Sequence, residues 1–168
     1  MSVDLVVEEP AWLDHLPDLA DIAATATDAA LTAVRIDPSS AGIAILACDD
    51  ARIAGLNTEF RGKPAPTNVL SWPAFVLRPA CPGAAPPTPP AGSAAAPIAL
   101  GDVAIALQTC AAEAADADLP LKNHCIHLIL HGALHLLGYD HQTEPDADVM
   151  EGIERDALAG LGIPDPYR

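Results

Sequence analysis

The stretch His131-Gly132-Ala133-Leu134-His135-Leu136-Leu137-Gly138-Tyr139-Asp140-His141 constrains this chain more than any other. Its histidines stand at i, i+4 and i+10. The first two lie in an apolar run, and on a helix that spacing stacks them on one face, one turn apart. Gly138 follows the last periodic residue, where a glycine in the left-handed conformation commonly ends a helix. The chain can then turn back and bring His141 to the same point. Three neutral imidazoles that leave a fourth position open make a recurrent catalytic zinc site. A lone histidine on an apolar helix face is ordinarily a core or rim residue. Three, with a glycine stop between the second and third, point to a metal.

His127 sits one turn before His131 on the same face. It cannot share an ion with His135, because eight residues of helix span roughly 12 Å. Either His127 and His131 join another ligand, or His131 and His135 join His141. The second set alone uses the glycine turn and is preferred; His127 then supports the site or fills the core. His124 is expected near the helix start and exposed.

Helical and strand periodicities place the remaining elements. Residues 2–8 read as a strand, Trp12 to Val34 as a helix with Pro17 near its start, and Gly42 to Cys48 as a short apolar strand. Asp49 and Asp50 offer a cap and first-turn acids for a helix through Phe60. Arg61 to Thr67 is a loop rich in Gly and Pro, Asn68 to Trp72 a strand ended by Pro73, and Val103 to Leu107 another strand. Gln108 to Asp118, Pro120 to Leu137 and Thr143 to about Ala159 read as helices. The order β-α-β-α-β-β-α-α-α predicts an α+β fold: a mixed four-stranded sheet packed by about five helices, with the apolar histidine helix at the centre. Residues 1–168 are expected to form one domain. From Pro79 to Gly101 there is no charged residue and seven of the 17 prolines occur. That span, at about 79–98, is expected to be a flexible insertion.

The 8 Lys+Arg stand against 23 Asp+Glu, a net charge of −15. A surface so acidic argues against general nucleic-acid binding and leaves room only for a local basic cleft. The N-terminal residues are acidic where a signal peptide would carry basic ones, so none is expected, and no apolar run reaches the length of a membrane span. A soluble cytoplasmic protein is expected, with no membrane partner. Cys48, Cys81, Cys110 and Cys125 make no C-x-x-C pair and read as reduced thiols, mostly small core residues.

Two hydrolytic chemistries compete for a three-histidine zinc. The spacing H-x-x-x-H-x-x-G-x-x-H is that of the metzincin metallopeptidases, whose first histidine is followed by a glutamate base. Here Gly132 stands in that place. The alternative draws on Arg61 and Lys63, two of the few cations, in the loop that enters a strand. A guanidinium binds phosphate bidentately and stabilises charge on a transferring phosphoryl group.

The chain resembles the YbeY family of bacterial endoribonucleases. HGALHLLGYDH is similar to that family's signature almost residue for residue. FRGKPAPTNVLSWP, starting at Phe60, resembles a second signature, and Leu100-Gly101-Asp102-Val103 a third. The terminal Asp165-Pro166-Tyr167 also fits. The resemblance covers nearly the whole chain outside the Pro/Ala insertion. It implies that His131, His135 and His141 hold one Zn2+, that Arg61 is the cleft arginine required for cleavage, and that Lys63 lies beside it on the substrate. It further implies single-stranded RNA as substrate, notably the 3′ end of small-subunit ribosomal RNA, the small ribosomal subunit as partner, and a part in ribosome quality control; DNA is not implied. Pro64 and Asn68 stand where the family often has Asp, and the insertion is longer than usual. A non-catalytic assembly factor with a structural zinc remains the competing reading from another class.

Overall fold

The computed structural model describes residues 3–168. Four strands, β1 (Val3–Val7), β2 (Ala41–Cys48), β3 (Val69–Pro73) and β4 (Ile98–Ala106), form one sheet in the order β1-β2-β4-β3. β1 and β2 run parallel, as do β2 and β4; β3 lies antiparallel to β4 at the edge. Parallel neighbours need long crossovers. Helices α1 (Ala11–His15) and α2 (Leu19–Ala33) supply the first, and α3 (Asp50–Arg61) lies in the second. Then come α4 (Leu107–Asp116), α5 (Leu121–Leu136) and α6 (Glu144–Gly160). The mixed four-stranded α+β architecture is the expected one, with six α-helices rather than five.

The extra helix comes from Pro17. The predicted helix from Trp12 to Val34 is two helices, broken at Leu16-Pro17-Asp18. Proline has no N–H to donate and its ring clashes with the preceding turn, so apolar periodicity on both sides cannot carry the helix through. The break lets Trp12 swing inward: it is fully buried, and its Nε1 donates to Cys48 O at 2.8 Å. Pro73 closes β3 without cost because an edge strand leaves alternate N–H groups unpaired.

Ile43, Ile45, Val103 and Ile105 bury one sheet face in the main core, shared with Leu19, Ile22, Ile129 and Leu134 of α2 and α5. A smaller core of Cys48, Ile53, Leu70, Ala104 and Ala106 lies where α3 covers the other face. α5 is central, as expected: it touches α2, α4, α6, β3 and β4. Gly132 is where it comes closest to the sheet; a Cβ there would stand 3.1 Å from Val103 and 3.2 Å from the Ser71 hydroxyl. No described helix is long and apolar enough to cross a membrane.

Between β3 and β4 the proline-rich stretch carries neither helix nor strand. It is tied to α6 where the Gly83 N–H donates to Asp146 Oδ1 at 2.8 Å.

Candidate metal centre

Helix α5 delivers His131 and His135 to one face, one turn apart, and ends at Leu136. Gly138 then adopts φ +94°. It also lies against the Leu77 carbonyl: a Cβ on residue 138 would stand 1.9 Å from that oxygen. Only glycine meets both demands, the left-handed turn and the close approach. The turn sends Tyr139-Asp140-His141 back over the helix end, and Asp140 steadies it by accepting from the His141 N–H at 2.7 Å. One ring nitrogen each from His131, His135 and His141 then lies within 4.8 Å of the others.

Hydrogen bonding decides which nitrogens face inward. His131 Nδ1 is 2.7 Å from Glu154 Oε1, and His135 Nδ1 is 2.9 Å from the Tyr139 carbonyl. A carboxylate and a carbonyl can only accept, which assigns the proton to Nδ1 in both rings. The two Nε2 atoms are left 3.0 Å apart with their lone pairs converging. That pairing is repulsive by itself and becomes binding around a cation, so the donor set fits a metal ion. Burial, and then the neighbouring His131 and His141, push the His135 pKa down to about 4. His135 is therefore neutral at physiological pH, as a ligand must be.

Glu154 was not found from the sequence. It comes from α6, is fully buried, and gathers three donors. Oε1 accepts from His131 and, at 3.1 Å, from His127 Nε2; Oε2 accepts from the Tyr167 hydroxyl at 2.7 Å. Burial alone would raise its pKa, but the bonds from His127, His131 and Tyr167 outweigh burial and hold it at about 2. Tyr167 moves the opposite way, raised by burial and then by the adjacent carboxylate. His127, His131 and Glu154 could by distance also hold an ion. Their facing atoms are already spent on one another, so the group orients His131 instead. The trace in the sequence is Met150, Glu154 and Leu158 at i, i+4 and i+8: an acid in the middle of a buried stripe.

The histidines open onto a cleft of about 740 Å³. Its wall includes Arg61, β3 apart from Trp72, and the turn from Gly138 to Gln142. Arg61 is the last residue of α3, where a cation suits the helix dipole. Gly62, at φ +67°, caps the helix in the left-handed conformation: its N–H donates to Thr58 O, and the Lys63 N–H donates to Asn57 O at 3.3 Å. Lys63 is exposed and lies outside the residues lining the cleft. Arg78, which sequence reasoning passed over at the approach to the insertion, lies on the wall. Gly132 faces Val103 and Ser71, not the cleft, so that position has no room for a peptidase's glutamate base. His124 is not exposed as expected: its side chain is 13% accessible, because α4 packs beside α5 and Glu113 accepts from His124 Nε2 at 2.9 Å.

Comparison with known proteins gives the family. The sequence model of the family described as Endoribonuclease YbeY matches residues 12–162. A protein named Endoribonuclease YbeY from Jannaschia sp. is 52% identical over 99% of this chain and 100% of its own length. One of the same name from Dinoroseobacter shibae is 53% identical over 99% of this chain and 90% of its own. The solution structure of a Thermotoga maritima protein superposes with a TM-score of 0.52 at 15% identity, over 99% of both chains, and shows the same fold. Family match, near full-length relatives and fold agree, and the chain belongs to the YbeY family.

Proposed function

We propose that this protein is a zinc-dependent endoribonuclease that cleaves single-stranded RNA, acting in the cytoplasm on ribosomal RNA at the 3′ end of the small-subunit species and in ribosome quality control. The observation that carries the reading is the meeting of Arg61 and the three histidines on one cleft. The relatives' printed name supports the reaction, and the converging imidazoles support the cofactor.

His131, His135 and His141 would hold the zinc. When bound, zinc supplies Lewis acidity toward a phosphoryl oxygen or an activated water. The chain's own groups do the rest. Glu154 and the Tyr139 carbonyl fix two rings with Nε2 inward. Arg61 binds the scissile phosphate and neutralises the charge that builds on it. Lys63, just outside the cleft, meets the strand beyond it. The acidic surface repels polyanions elsewhere, so RNA engages at the cleft alone.

The test is cleavage of an unstructured RNA by zinc-loaded wild type, Arg61→Ala and His135→Ala, purified identically. The expected result is activity in wild type only, with zinc retained by Arg61→Ala and lost from His135→Ala. Equal activity in wild type and His135→Ala would mean a contaminating nuclease. No activity in any would leave a non-catalytic assembly factor of the small subunit.

A further inference from the structure

Arg61 and Arg78 are the cations on the cleft wall, and they reach it from opposite ends of β3. Arg61 precedes the strand at the end of α3; Arg78 follows it, five residues after Pro73. β3 is an edge strand, with β4 as its one strand partner among the described residues, and four of its residues line the cleft. Five extended residues span about 17 Å. The histidine helix touches the middle of that span, where the Ser71 hydroxyl donates to Gly132 O at 3.2 Å. Arg61 and Arg78 thus line the same cleft as the ring cluster, one before β3 in the chain and one after it.

Arg78 is held there. Its neighbour Leu77 rests its carbonyl on Gly138, so closely that no Cβ fits between them. That contact seats Arg78 at the rim beside the turn that carries His141. Among the described residues, Arg52, Lys122, Arg155 and Arg168 are each paired with an acid; Arg35, Arg61, Lys63 and Arg78 make no ion pair, and of these Arg61 and Arg78 line the cleft. In a chain of net charge −15, two uncompensated cations in one groove make a local track for a polyanion.

We propose that Arg78 is a substrate-binding residue that grips a second backbone phosphate in the cleft it shares with Arg61 and the histidines, so that single-stranded RNA lies along β3. The inference rests on the endoribonuclease reading. Arg78 acts on binding, and Arg61 on the reacting phosphate.

Wild type, Arg78→Ala, Arg78→Lys and His135→Ala are compared on an unstructured RNA and on a dinucleotide too short to span both arginines. Arg78→Ala should raise KM on the long RNA about tenfold, the loss of one charge-assisted contact, and leave the dinucleotide unchanged. Its slope of log binding constant against log salt, measured by fluorescence anisotropy, should shrink by about 0.7, the value for one phosphate on a single strand. Arg78→Lys should recover the slope. Active wild type, inactive His135→Ala, and an Arg78→Ala with unchanged KM and slope would overturn the proposal while sparing the nuclease reading. Inactive wild type would sink the nuclease reading, and the salt slope would still decide Arg78.

Discussion

Glu154 Oε1 stands 2.7 Å from Nδ1 of His131, across 23 residues of sequence. The carboxylate fixes both the tautomer and the direction of the ring. Glu154→Gln keeps the size but replaces one acceptor oxygen with an amide that donates. It should weaken zinc binding by 10- to 100-fold, as loss of a ligand's orienting partner generally does. Competition with a chromophoric chelator measures this; an unchanged zinc affinity would show that the carboxylate does not orient the ring.

Gly138→Ala should be far costlier than the same change at Gly162. Gly162 has φ +75° and open space around it, so alanine meets only the left-handed strain, about 1–2 kcal/mol. At Gly138 the added methyl also meets the Leu77 carbonyl at 1.9 Å. A loss of about 3 kcal/mol or more is expected. Denaturant unfolding of the two variants side by side gives the comparison, and equal losses would contradict the close approach.

Zinc should stabilise the fold by mass action. At a free concentration one hundred times Kd, binding adds about 2.7 kcal/mol. For a domain of this size that raises Tm by roughly 5–10 °C. His141→Ala should abolish the rise and leave the metal-free Tm close to wild type, because His141 is exposed. A rise that survives in the variant would remove His141 from the ligand set.

The cysteines should divide by burial. Cys48 is buried, and burial followed by the nearby Glu8 and Asp49 pushes its thiol up to about 12. Cys110 is raised further, by its contact with Cys125 and by burial. Cys81 is exposed. Native alkylation at mildly alkaline pH, read by mass spectrometry, should label Cys81 alone, since the thiolate is the reactive form. Rapid labelling of Cys48 would contradict the packing around it.

What could be read from the chain divides by range. His131 and His135 were legible because helical spacing is local, and the turn to His141 because Gly138 announces it. The mixed sheet was legible because strands separated by helices need crossovers. Pro17 was underweighted: apolar periodicity runs on both sides of it, and the missing N–H still broke the helix. Glu154 was invisible because its partners lie on another helix. Arg78 was passed over because nothing local says that Leu77 will land on Gly138. His124 was misplaced because Glu113, its partner, belongs to a neighbouring helix.

The hub around Glu154 also sets when the site comes into being as the chain folds. Helix α5 closes local hydrogen bonds and can form within about a microsecond. Its histidines are then in place along the helix, with their rings free to turn. Orientation waits for α6 to dock across 23 residues and for Tyr167 to reach His127 across 40. Contacts of such separation form late. A collapsed chain with its full helix content would still lack the converging rings, and the ring cluster is completed only in the last stage of folding.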